Sequence, residues 1–223
     1  MLDDLKAWAP DLLAGLSLTV GLTFGSMAIA VALGLALALL RISRLVWLRV
    51  PAILFVELIR GSPLLLQLFY IYYVFPLAGL RLTPIQAGLL GLGINYGAYL
   101  SEVFRAGIAA VQKGQWEAAG ALGFKPWQTM RLVVLPQAIR IVVPPVGNYF
   151  VSLFKDTALV STISITELMF QGQLIASDTF KYMRIYSVVF VIYVLISAPA
   201  SLGVRWLELR LQGGRTDRRP GAV

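Results

Sequence analysis

The sequence predicts an all-α membrane protein with about five transmembrane helices. Two observations carry this prediction. The 223-residue chain is 58% hydrophobic and only 13% charged, with a mean hydropathy of +0.78, whereas a soluble domain has roughly 25% charged residues. Four stretches, 12–40, 61–80, 82–101 and 185–204, contain no charge. About 20 apolar residues at 1.5 Å rise are enough to cross the hydrocarbon core. A soluble fold would have to bury four such helices on all sides, and a chain of this length cannot enclose them.

The elements follow in order. Span 1 covers 11–40. Asp3, Asp4 and Asp11 precede it, where a secretory signal would have basic residues, and it is too long for a signal core. Span 2 covers 50–75 and opens at Pro51. Span 3 covers 84–111, span 4 136–154 and span 5 185–207. The less regular stretch 155–184 contains a semi-polar segment, 157–170, expected as a short helix beside the bundle. Residues 1–211 read as one transmembrane domain. Residues 212–223, rich in Gly and Arg, read as a disordered basic tail.

Basic residues set the expected orientation. Arg41, Arg44 and Arg49 lie between spans 1 and 2. Arg105, Lys113, Lys125 and Arg131 lie between spans 3 and 4. Arg205, Arg210, Arg215, Arg218 and Arg219 follow span 5. These regions share one side only with an odd number of spans. The positive-inside rule then places the N-terminus outside and the C-terminus in the cytoplasm. The same rule accounts for the net charge of +8 without a nucleic-acid partner. The chain has no Cys and no His, which excludes disulfides, thiol and imidazole chemistry and the usual zinc ligands.

Segment 114–138, on the basic side, reads GQWEAAGALGFKPWQTMRLVVLPQA. It predicts a short helix over 116–122 stopped by Gly123 and a second over 126–133 with proline in its first turn. Pro136 then punctuates the start of span 4. Trp116, Phe124, Trp127 and Met130 offer this knob an apolar surface. By residue type alone it is either a connector packed on its own bundle or a docking element.

The run Glu117-Ala118-Ala119, then Gly123, then Leu135-Pro136 resembles the EAA signature of ABC importer permeases, with Val133 in place of the usual isoleucine. Three further runs make the chain similar to permeases of the histidine/glutamine/arginine/cystine type. They are Glu57-Leu58-Ile59-Arg60-Gly61-Ser62-Pro63-Leu64, Leu135-Pro136-Gln137-Ala138 and Lys155-Asp156-Thr157-Ala158-Leu159-Val160-Ser161. The resemblance spans about 12–211. It implies the permease of a type I ABC importer, with a second permease subunit (the same chain or a paralogue), two cytoplasmic ATP-binding subunits and an extracytoplasmic substrate-binding protein. It also implies that segment 114–136 couples to the ATPase through Trp116, Glu117, Ala118, Ala119, Gly123, Phe124, Leu135 and Pro136. The sequence has no G-x-x-x-x-G-K-[ST] loop. Hydrolysis of ATP-Mg is therefore expected in the partner, with no cofactor bound by this chain.

Ionisable groups at membrane depth cost about 2.5 kcal/mol or more and need a partner or a wet cavity. Glu57 and Arg60, spaced i, i+3, either neutralise each other near the boundary or place Arg60 on the pathway to pair bidentately with a substrate carboxylate. Gly61 and Pro63 could break the span there. Tyr149, Ser152 and Asp156 share one helical face, with Asn148 and Thr157 nearby. They form either a polar stripe on the path, with Asp156 receiving an α-ammonium group, or a cap at the outer interface. A facing Arg60 and Asp156 would recognise the zwitterion of a polar amino acid whatever its side chain. Asn95, Tyr96, Tyr99 and Ser101 are expected in interhelical bonds, with Gly91, Gly93 and Gly97 allowing close approach. Glu102 and Arg105 are expected as a structural pair.

The alternatives are a stand-alone channel or secondary transporter for amino acids, and a membrane enzyme. The former often carries a repeat with broken helices in both halves, and no such repeat is evident. The latter would need a carboxylate pair or a Ser/Lys dyad. Lys155 and Asp156 are sequence neighbours and point apart on a helix.

Overall fold

A computed structural model describes residues 2–212, and every regular element among them is helical. Helix α1 (Leu2–Arg41) is followed by α2 (Val46–Arg60). Helix α3 (Leu64–Phe69) continues through a π turn (Tyr70–Val74) and a 3₁₀ turn (Phe75–Ala78). Helix α4 (Pro84–Ala109) leads to the knob, built from α5 (Lys113–Ala121) and α6 (Pro126–Gln128). A π turn (Thr129–Val134) connects α6 to α7 (Leu135–Asp156). A 3₁₀ turn (Thr157–Ile163), α8 (Leu168–Thr179) and α9 (Tyr182–Gln212) complete the chain. Of the expected 212–223 tail, all but Gln212, which ends α9, lies outside the described residues.

Three helical stretches are long and apolar enough to cross a membrane: Asp4–Arg41, Pro126–Ile163 and Tyr182–Leu211. The pair α2 and α3 with its continuation makes a fourth if a 105° bend is counted within one span. Helix α4 is not among them, because glycines and Asn95, Tyr96, Tyr99 and Ser101 dilute its hydropathy. It is nonetheless the helix with the most internal positions, including Leu92, Tyr96, Ala98 and Leu100.

Helix α4 lies directly against α1. A Cβ on Gly34 would meet the carbonyl oxygen of Gly97 at 2.9 Å, and one on Gly93 would meet Ile29 Cγ2 at 2.6 Å. Small residues allow this backbone approach. In lipid, dispersion contact replaces the hydrophobic effect as the force between helices. The α4 start is fixed by a capping box, in which Gln86 N–H donates to Thr83 Oγ1 and Thr83 N–H to Gln86 Oε1.

Span 2 is broken at Gly61–Pro63, where the sequence offered a break, since Pro63 has no N–H and disfavours the helical region for the preceding residue. The structure departs from the sequence reading in two places. Segment 157–170 is not beside the bundle but inside it. Val160, Ile163, Ile165 and Leu168 are at most 2% exposed, and the hydroxyls of Thr157, Ser161 and Thr162 donate to the carbonyls of Phe154, Ala158 and Leu159. Those bonds cancel the polarity that suggested a peripheral position. Finally, Pro136 does not interrupt the path into span 4. It sits at the start of α7, within a continuous helical path. The preceding π turn carries the helix through, with Leu135 N–H donating to Met130 O.

Substituting Gly34 by Val should force α1 and α4 apart. We expect a loss of about 1–3 kcal/mol, read as a lower thermal midpoint in detergent. Gly21→Val, where a Cβ meets nothing within 4 Å, should leave the midpoint unchanged.

Candidate functional site

The bend after α2 sets Arg60 over the ring of Tyr99 in α4, with its guanidinium carbon 5.4 Å from the ring centroid. Tyr99 lies 5.8 Å from Tyr149 of α7, and Tyr149 lies 6.1 Å edge-on from Tyr96. Tyr96 OH donates to Asp156 Oδ2 at 2.7 Å. A tyrosine ladder therefore runs between α4 and α7, with a cation at one end and a carboxylate at the other. The antiparallel course of the two helices creates it, since Tyr96 and Tyr99 are one turn apart on α4 and Tyr149 and Asp156 two turns apart on α7.

Arg60, Tyr99 and Tyr149 line an open cleft of about 360 Å³ with Glu102, Gly107 and Pro145. A second cleft of about 510 Å³ shares Ala110, Ile141 and Pro145 with it and reaches Gln112, Gln137 and Arg140 beside the knob. Arg60 is weakly committed. Its contact with Glu57 is long, 3.7 Å, and its Nε has no partner among the described residues. Glu102, by contrast, is fully engaged. Arg41 of α1 approaches it at 2.7 Å, and Arg105 holds it from one turn along α4. The expected pair is thus a triad, and it leaves Arg60 as the cleft group best able to receive an anion.

The sequence-predicted residues divide accordingly. Arg60 and Tyr149 come together. Asp156 does not face Arg60; three tyrosine rings stand between them. Ser152 is half-buried on α7, Asn148 is exposed, and Glu57 is exposed at the rim. Thr157 is fully buried with its hydroxyl donated to Phe154 O at 2.7 Å, so it secures the helix end and presents nothing to the cleft. Tyr96 and Tyr99 were expected in interhelical bonds; Tyr96 makes one to Asp156, and the two rings also build the ladder with Tyr149. Their i, i+3 spacing opposite Tyr149 is a signal only once α4 and α7 are known to be neighbours. A further polar node escaped the sequence reading. The buried Glu167 caps α8 through Phe170 N–H and accepts hydrogen bonds from Thr19 of α1 and Tyr193 of α9.

The knob is bolted on one side and bare on the other. Ala119 is 3% exposed, and Trp116 and Met130 pack against Ile108, Val111, Val134 and Ala138. Gln137 Nε2 donates to Gln115 Oε1, tying α5 to α7. Ala119, expected at the docking surface, therefore belongs to the knob's own seat. Glu117, Ala118, Leu122, Phe124 and Trp127 are exposed, with Leu122 at 75% and Trp127 at 59%. Gly123 makes the turn between α5 and α6 at φ +76, where a Cβ would be strained. Leu135 is half-buried and Pro136 exposed at the foot of the knob.

The family described as the binding-protein-dependent transport system inner membrane component matches residues 9–213. The chain belongs to this family. The relatives include a probable amino-acid ABC transporter permease, YckA of Bacillus subtilis, 39% identical over 89% of this chain and 88% of that one. The L-cystine transport system permease TcyB of the same organism is 40% identical over 92% and 88%. The glutamine transport system permease GlnP of Escherichia coli K12 is 40% identical over 72% and 74%. Among solved structures, an amino acid ABC transporter crystallised with histidines superposes at TM-score 0.88 and 37% identity, covering 93% of this permease and 97% of that chain. An inward-facing MetNI methionine ABC transporter, at TM-score 0.74 and 20% identity over 90% and 95%, shares the fold. The inner-membrane location of this permease follows from its family and agrees with its long apolar helices.

Removing the Tyr96 hydroxyl leaves the Asp156 carboxylate without its donor. We expect Tyr96→Phe to cost about 1–3 kcal/mol, measured as a drop in the thermal stability of the purified complex.

Proposed function

We propose that this chain is the membrane-spanning permease subunit of an ATP-driven importer carrying a polar amino acid into the cell. One observation carries the reading. Trp127, on the bare face of the knob, sits on a helix that continues without a break from Pro126 through the π turn into α7, α5 with the exposed Glu117 is tied to that helix by Gln115 and Gln137, and α7 bears Tyr149 and Asp156. A force applied at the knob is delivered to the cleft.

In this reading the protein crosses the membrane five times, α4 and the bent α2–α3 pair included, with the N-terminus outside and the C-terminus in the cytoplasm. The basic residues clustered around the knob, before α2 and at the end of α9 support that orientation. Two cytoplasmic ATP-binding subunits bind ATP-Mg and dock on Glu117, Leu122, Phe124 and Trp127. A second permease completes the pathway and an extracytoplasmic binding protein delivers the substrate. Closure of the ATPase pair tilts α7 against α4 and shifts the population between outward- and inward-facing states. Arg60 takes the substrate carboxylate with its planar fork while the Tyr99 and Tyr149 rings form the wall. Asp156, at the far end of the ladder, offers a carboxylate to the ammonium group when Tyr96 gives way. An amino acid moving along the ladder thus meets the two charges in turn. Relatives named for amino-acid, glutamine and cystine transport support this substrate class.

In the reconstituted complex, Arg60→Ala and Asp156→Ala should each abolish amino-acid uptake while the subunits still co-purify; wild-type uptake by both variants would refute the substrate assignment. Gly123→Val strains the knob by about 1–2 kcal/mol, and should weaken co-purification of the ATPase and its stimulation by the loaded binding protein. Uptake by the chain alone, with no ATPase present, would instead establish a secondary transporter.

A further inference from the structure

Helix α2 ends in Arg60 and is anchored along one face only. Ala52 and Val56 are buried against Leu37 of α1 and Ala98 of α4, while Leu54 and Leu58 on the opposite face are 64% and 69% exposed. Beyond its stacking on Tyr99, Arg60 is weakly held, with a long contact to Glu57 and an Nε that has no partner among the described residues. The chain then breaks at Gly61–Pro63, where the last carbonyls of α2 lose their helical donors. At membrane depth those carbonyls need another partner.

Two side chains supply it: the Ser62 hydroxyl lies 3.0 Å from Leu58 O and 3.2 Å from Ile59 O as a local donor, and Gln67 reaches across from α3. Gln67, on α3, brings the two N–H of its Nε2 among three acceptors, Ile59 O at 2.7 Å, Ser62 Oγ at 2.9 Å and Ser62 O at 3.1 Å. Its Oε1 accepts from Asn95 Nδ2 of α4 at 3.1 Å. Asn95 is only 5% exposed. Helix α3 itself is wedged firmly, with Leu68 fully buried against Gly91, where a Cβ would come within 2.6 Å of Leu68 Cδ2. The amide group of Gln67 therefore joins three parts: the last turn of α2, the break, and the middle of α4.

We propose that Gln67 is a positioning residue that fixes Arg60 at the cleft. It acts as a latch, with Asn95 as its anchor, between the tip of α2, packed on one face only, and the rigid α3–α4 pair. The proposal rests on the reading of Arg60 as the substrate carboxylate site, and it adds what holds that site in register. Opening the latch frees the final turn of α2 to fray, and Arg60 moves off the Tyr99 ring. Substrate affinity then falls, while the knob and α7, which transmit the ATPase stroke, are untouched.

The test uses the full complex in nanodiscs and two readouts. The first is amide hydrogen exchange of peptides covering residues 58–62, where Gly61 N–H is bonded to Glu57 O at 2.8 Å. The second is the split between the KM and maximal rate of uptake. Gln67→Leu should accelerate exchange in this segment about tenfold or more, as expected for loss of satisfied buried polar groups. It should also raise KM about tenfold with the maximal rate held within about twofold. Asn95→Leu, which removes only the anchor, should move both readouts the same way. It also serves as the test if Gln67→Leu does not assemble. The double variant should be no worse than Gln67→Leu alone, because the two act through one connection. Unchanged exchange in Gln67→Leu or Asn95→Leu overturns the latch, whatever Arg60→Ala does to uptake. Faster exchange with unchanged KM, in a complex where Arg60→Ala abolishes uptake, overturns the positioning role. Equal losses of rate and affinity, or additive effects in the double variant, reduce Gln67 to a general structural residue. If Arg60→Ala leaves uptake intact, the substrate reading fails on its own account, and exchange alone decides whether the latch exists.

Discussion

Hydrocarbon offers a peptide group nothing to bond with, and this constraint shapes the whole molecule. Long helices satisfy it without help, which is why α1 and α9 are uninterrupted. Hydroxyls within them turn back on their own backbone, as Thr19 does to Gly15 O and Thr23 to Thr19 O. The costly places are the interruptions. Each one carries a dedicated side chain: Gln67 at the break after α2, the Thr83–Gln86 box at the start of α4, and Glu167 with Thr19 at the start of α8. The polar residues that look out of place in an apolar sequence are largely answers to backbone groups the fold has exposed.

Two kinds of helix contact follow from the same setting. Where backbones touch, as α1 and α4 do at Gly34 and Gly97, the contact is fixed and repels insertion of even a methyl group. Where the outer face is bare, as on α2 with Leu54 and Leu58, the helix is held along one face only, by Ala52 and Val56 against α1 and α4. The rigid part of the protein is thus the α1–α3–α4 wedge. The knob and α7 form a second stiff body, joined to the first across the tyrosine ladder. Relative motion of two stiff bodies about a lined cleft is what transport requires of such a subunit.

Much of this was legible in the sequence because the signals were local. Uncharged runs announced α1, α4 and α9, and Gly123 with Pro126 announced the two short helices of the knob. The break at Gly61 and Pro63 was visible as a possibility for the same reason. What escaped depended on neighbours far away in the chain. Tyr96 could be known as the partner of Asp156 only with α4 and α7 side by side. Arg41 joined Glu102 and Arg105 only because α1 lies along α4. Segment 157–170 misled because its hydroxyls look like solvent-seeking groups, yet they are spent within the turn itself. Thr157 was drawn into the candidate site by proximity in sequence to Asp156, and burial removed it.

The π turn at Thr129–Val134 has a geometric result of its own. An α-helix advances about 100° per residue, and a wide turn effectively accommodates one residue more than a regular helix would. The face of α6 that carries Trp127 is therefore out of phase with the face of α7 that carries Tyr149 and Asp156, relative to an uninterrupted helix. The angular setting between the Trp127 side and the Tyr149 side of one rod is written into chain length as much as into side-chain chemistry. A one-residue insertion or deletion between 129 and 134 could preserve every contacting residue type and still aim the rod the wrong way.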